Sequence, residues 1–153
     1  LGSKSESKKI FIDKSNHGNS SLEKTMMGLS KYNKYEVEKI KVLSVQSFFN
    51  LIKKRIKGKK LIIKIDTQSL DELIVSQLPD HVMKNVVLLN YELTSIKGVK
   101  KEKISELKFR RNISIFNRVW SEELGDVTED WLVENLHPDR VKKNIETDIY
   151  LLK

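Results

Sequence analysis

The segment Leu61–Ile74, LIIKIDTQSLDELI, changes its apolar period in mid-course. Leu61 to Ile65 is an almost unbroken apolar run, the pattern of a strand covered on both faces, and Leu70, Leu73 and Ile74 then repeat as one face of a helix. A strand that hands over directly to a helix points to an α/β architecture. Asp66, Thr67, Gln68 and Ser69 stand at the hand-over. Ser69 with Glu72 fits the S-x-x-E capping box, in which the serine oxygen takes an early helix N–H and the glutamate reaches back. Asp66 and Thr67 have two readings, as further helix caps or as polar groups meeting a ligand at the carboxyl end of a strand.

The rest of the chain alternates in the same way. Strands are expected at Lys8–Ile12 and Val37–Val42, with the turn-rich stretch DKSNHGNSS following the first. Val45, Phe48, Phe49, Ile52 and Ile56 predict an amphipathic helix closed by Gly58. Asn85–Leu93, NVVLLNYEL, reads as a second central strand that carries Glu92 near its end. Val99, Ile104 and Leu107 suggest a basic helix, and Ile113, Ile115 and Val119 alternate as in a strand, although SIFNRVW also fits a helix. Asp126 ahead of Trp131, Leu132 and Leu136 marks a capped helix, and Asp148–Leu152 a last strand. Such alternation argues for a mostly parallel sheet with helices on both faces, whose ligands bind beyond the carboxyl ends of its strands, where Asp66 and Glu92 lie.

Charge and composition narrow the function classes. The 153 residues carry 29 Lys and Arg against 21 Asp and Glu, a formal charge of +8. Six of the cations fall between Lys53 and Lys60 with no acid among them, and Lys97–Arg111 is also rich in cations. These blocks read first as solvated helix faces, because no aromatic stacking residues interleave with them. A noncatalytic basic module for nucleic acid or another polyanion is the alternative. There is no cysteine, and the histidines, His17, His81 and His137, are far apart, which argues against a structural zinc site. No apolar run approaches the roughly 20 residues that cross a bilayer, so no membrane partner is expected and the cytoplasm is the default location.

Several segments, in order, resemble the FkbM-type family of S-adenosylmethionine-dependent methyltransferases. LGSKSESKKIFI is similar to the family's segment leaving its third strand, HGNSSLEK to its small-polar loop, and VEKIKVLSVQSFFNLI to the next strand and helix. LIIKIDTQSLDELI is similar to the signature in which a strand ends in Lys-Ile-Asp, NVVLLNYEL to the strand ending in Glu, and TDIYLLK to the terminal strand. The pattern departs from the family at Ser69, where glycine is usual, and at Gln46, where aspartate is usual. The chain also lacks the Gly-x-Gly of the cofactor-binding turn.

The resemblance implies an α/β, Rossmann-like class I methyltransferase sheet that is incomplete, its first strands missing, mostly parallel with an antiparallel C-terminal strand. Residues 1–153 would be a single partial domain, with 1–44 a loop and strand insertion and 45–153 the β/α core half. Asp66, Glu92 and Lys64 would be the catalytic residues, Asp66 the leading candidate for base or acceptor-orienting group. Leu1, Gly2, Asp66 and Gln68 would touch S-adenosylmethionine, and His17, Asn19, Ser20 and Ser21 a sugar or small-molecule acceptor. No metal is implied. Lys64 has a second reading, as a salt bridge across the sheet. Without the glycine-bearing first strand, the edge of the strand at 61–66 would stand open, inviting self-association or a complementing N-terminal segment, and the residues present would bind cofactor poorly.

Overall fold

The computed structural model describes residues 1–14, 20, 35–67, 70–96, 103–137, 140–141 and 143–153. Strands β1 (Glu6–Asp13) and β2 (Tyr35–Val42) pair antiparallel as a separate ribbon, Glu6 opposite Val42 and Asp13 opposite Tyr35. Along β2 only Ile40 and Val42 leave the exposed class, which explains why its alternation gives no clean buried face. The first residues run beside the chain that leaves the ribbon: the Gly2 N–H donates to the Leu43 carbonyl at 3.0 Å, and the Val45 N–H to the Gly2 carbonyl at 3.2 Å. A side chain at position 2 would put its Cβ 2.9 Å from Val42 Cγ1, so this approach requires glycine.

Helix α1 (Val45–Ile56) forms where the apolar spacing predicts it. Ser44 caps it by accepting the Ser47 N–H at 3.1 Å, and Lys53, Lys54 and Arg55 occupy the last turn, at the negative end of the helix dipole. Gly58 follows at φ +72°, with open space where a Cβ would stand. Gly58→Ala is therefore expected to cost only the left-handed backbone penalty, about 1 kcal/mol. Thermal melts check this as a fall in Tm of about 2–4 °C.

The second sheet follows. Its strands are β3 (Leu61–Ile65), β4 (Val86–Ser95), β5 (Arg118–Ser121), β6 (Gly125–Asp126) and β7 (Ile145–Leu152), in the spatial order β3-β4-β7-β5-β6. Between them run helices α2 (Asp71–Gln77), α3 (Asp80–Met83), α4 (Glu106–Ile113) and α5 (Glu129–Glu134). The expectation of a mostly parallel sheet is corrected. Only β3 and β4 pair parallel, while β7 runs antiparallel to both β4 and β5, and β6 antiparallel to β5. The link from β5 to β6 is too short for a crossover and can join only antiparallel strands. The last strand, expected to be antiparallel, is so on both sides.

Three helix starts also differ from the sequence reading. Leu70 holds the N-cap position of α2, with no side-chain cap bond, and Ser69, expected to cap it, lies outside the described residues. Helix α4 begins after Ser105, which accepts the Lys108 N–H, so Ile104 precedes it, Ile113 ends it, and Leu107 is 80% exposed. Val99 lies outside the described residues. Thr128, not Asp126, caps α5, by accepting the Trp131 N–H at 3.1 Å. Asp126 instead pairs Trp120 in β6 and accepts from Arg118 Nε at 2.7 Å.

Strand alternation sorts the second sheet into two faces. Leu89, Tyr91, Leu93, Ile149 and Leu151 share one face and one apolar core with Leu73, Ile74, Phe109, Ile113, Leu132 and Leu136 of the helices and their ends, all at most 4% exposed. Phe109 meets Tyr91 edge-on, with ring centroids 6.2 Å apart. Ile62, Lys64, Leu88, Asn90, Glu92, Asp148 and Tyr150 face the other way, and Ile62 is 73% exposed. Among the described residues β3 pairs only with β4, leaving its far edge open.

Candidate functional site

Register brings Asp66 and Glu92 together. Lys64 lies opposite Asn90 and Ile65 opposite Tyr91 on the parallel pair, so Asp66, the next residue, leaves β3 alongside Glu92 and on the same face. Asp148 lies directly across from Glu92 on β7, and Glu146 two residues earlier shares its face. Four carboxylates thus border one end of this face. Asn90 Nδ2 donates to Asp148 Oδ1 and to the Ile149 carbonyl, both at 3.2 Å, which steadies the β7 side.

A fifth carboxylate, buried at 1% exposure, fixes this corner. Asp71 Oδ1 accepts the Thr67 backbone N–H at 2.8 Å and also the Thr67 hydroxyl, while Oδ2 accepts the Glu92 N–H at 3.1 Å. Strand β3 stops at Ile65, so Asp71 satisfies an amide of β4 that β3 no longer reaches. Thr67 is accordingly a partner of Asp71 rather than a cap for α2. Spacing alone gave Asp71 no role, since it reads as one more acid in a first helical turn. Its burial depends on β4 lying beside it.

The electrostatics follow from burial and crowding. The Glu92 carboxyl is pushed up to about 7, by burial first and then by Glu146, Asp71, Asp66 and Asp148. Burial also raises Asp71, against the lowering effect of its hydrogen bonds. Tyr91, fully buried beneath, is pushed well above the usual phenol range by burial and by the charges of Glu72 and Asp71. Glu92 therefore exchanges a proton close to neutrality, the property of a general acid or base.

The other expected site residues are more scattered. Lys64 is largely exposed and reaches Asp66, two residues on and just past the end of β3, at 3.6 Å, so the bridge across the sheet is corrected to a local one along the chain. Leu1, Lys64 and Asp66 line a hollow of about 350 Å³ with Phe48, Phe49 and Ile63, whereas Glu92 lies outside it. Gly2 is buried against Val42. Gln68, His17, Asn19 and Ser21 lie outside the described residues, and Ser20 is half-buried. Among the described residues no cluster of three or more His, Cys, Asp or Glu is arranged to hold a metal, and no helix is long and apolar enough to cross a membrane. No family model matches the chain, and neither the curated proteins nor the solved structures yield a match.

Proposed function

We propose that residues 1–153 form the acceptor-side part of an S-adenosylmethionine-dependent methyltransferase of the FkbM type. It would act in the cytoplasm on a hydroxyl of a sugar or other small molecule. The observation that carries this reading is the parallel register that sets Asp66, just past the end of β3, beside Glu92 within β4, with the Glu92 carboxyl at about 7. The antiparallel last strand beside β4 supports it, as does the open edge of β3, where the first strand of such a sheet would pair.

The cofactor, when bound, supplies a methyl group on a cationic sulfonium. The carboxylates suit that positive charge, but these 153 residues contain no glycine-rich turn for the rest of the cofactor. Glu92, as carboxylate, would take the proton of the acceptor hydroxyl, and Asp66 would orient that hydroxyl by accepting a hydrogen bond. Glu92 would thereby keep the acceptor oxygen deprotonated and Asp66 would hold it in position, while the cofactor would supply the methyl group. The strand carrying the cofactor segment, or a second copy of the chain, would complete the sheet along β3.

Calorimetry with S-adenosylhomocysteine tests the reading in two steps. The chain alone is expected to bind at best at millimolar concentration. A polypeptide that adds the coding frame upstream of Leu1 should bind tightly and methylate sugar hydroxyls, with Glu92→Gln slowing turnover about 100-fold or more. A frame that encodes no glycine-rich strand, with no cofactor binding by its product, would refute the assignment.

A further inference from the structure

A second polar site lies away from the carboxylates. A groove of about 500 Å³ opens where the end of α2 meets α4, and Lys103, Lys108 and Arg111 are among the residues that line it. Among the described residues its one lining carboxylate is Asp80, which Arg111 Nη2 engages at 3.0 Å in an exposed pair. Lys103 and Lys108 are exposed and have no ion-pair partner among the described residues. Among the described lining residues three cations stand against one acid, an excess of two positive charges that matches a phosphomonoester dianion.

The groove does not end at Arg111. Arg111 and Asp80 also border an adjoining hollow of about 530 Å³, whose apolar wall is Ile115, 38% exposed, beside the largely buried Met83, with Lys84 and Lys153 at its border. The cationic and the more apolar spaces therefore meet at one arginine, whose planar fork suits bidentate binding of a phosphoryl group. Pockets of this size, with apolar walls and a few convergent polar groups, suit small ligands better than flat surfaces do.

We infer that this double groove binds a phosphomonoester with an apolar or aromatic body, its phosphoryl group held by Lys103, Lys108 and Arg111 and its body against Ile115. The inference is independent of the methyltransferase reading, since it shares no residue with the carboxylate corner. Arg111 exchanges Asp80 for the phosphoryl oxygens, so the exposed ion pair serves as the latch between the two spaces.

Titration of the chain with phenyl phosphate and with inorganic phosphate, followed by calorimetry, tests this. Phenyl phosphate is expected to bind about tenfold more tightly than inorganic phosphate, from burial of its ring. Lys103→Ala with Lys108→Ala should weaken phenyl phosphate about tenfold or more, with an unchanged thermal melt because both side chains are exposed. Lys53→Ala with Lys54→Ala, which removes the same charge elsewhere, should leave the affinity unchanged. Equal weakening by the two pairs would mean diffuse attraction to a basic surface, equal affinity for the two probes would remove the apolar half of the site, and no binding would remove the site. Any of these results overturns the inference.

Discussion

Asp71→Ala is expected to lower the unfolding free energy by about 2–4 kcal/mol, measured by urea denaturation at neutral pH. The carboxylate accepts two backbone N–H groups and one hydroxyl, and removing it leaves the amides of Thr67 and Glu92 without that acceptor in a buried corner. Burial raises the pKa of Asp71 itself, so desolvation offsets part of what those bonds contribute, and the loss stays below the sum of three charged hydrogen bonds. Asp71→Asn keeps one acceptor oxygen and should lose about half as much. A second reading separates this corner from general core damage. The charge of Asp71 helps to hold the Glu92 pKa up, so in the alanine variant Glu92 should titrate lower by NMR. An unmoved Glu92 together with full stability would show that the clamp does not operate.

Glu92→Gln should have the opposite sign above neutrality. A carboxyl whose native pKa exceeds its ordinary value of 4.5 binds its proton more tightly in the folded state. The stability it confers is therefore complete below the ordinary value and is lost as pH rises through about 7. The wild type should weaken between about pH 5 and pH 8, while the glutamine variant should hold nearly level across that window. Because Glu92 is only half-buried, solvent screening limits the gain of the variant near pH 8 to about 1–2 kcal/mol. In a chain of this length that corresponds to about 3–6 °C in Tm. Parallel pH slopes for the two proteins would count against the crowding of carboxylates around position 92.

Local patterns were legible wherever the side chains themselves decide the structure. The stripe from Val45 to Ile56 with Gly58 behind it, and the apolar runs that became β3 and β4, each needed nothing beyond its own residues. Strand direction was not legible in the same way. Alternating elements suggest parallel crossovers, but β7 enters between β4 and β5 and runs against both, a choice made by long-range pairing that no window of sequence contains. Helix starts shifted for a related reason. Asp126 has the chemistry of a cap, yet Arg118 and the β5–β6 turn claim it, and Thr128 two residues on takes the role. At the site, Asp66 and Glu92 stood out as acids near the ends of apolar runs, although β4 continues through Leu93, Thr94 and Ser95 and so holds Glu92 within the strand, whereas Asp71, Asp148 and Glu146 acquire their part only through the contacts that β4 makes with α2 and β7.

The β1–β2 ribbon carries its own consequence. It is hydrogen-bonded as a separate pair, and most of β2 is exposed to water, so little of the buried apolar surface depends on it. Two strands alone are marginally stable in water. The ribbon and the five-stranded sheet are therefore distinct cooperative units, and the first can open, exchange its amide hydrogens and close again while the second remains intact.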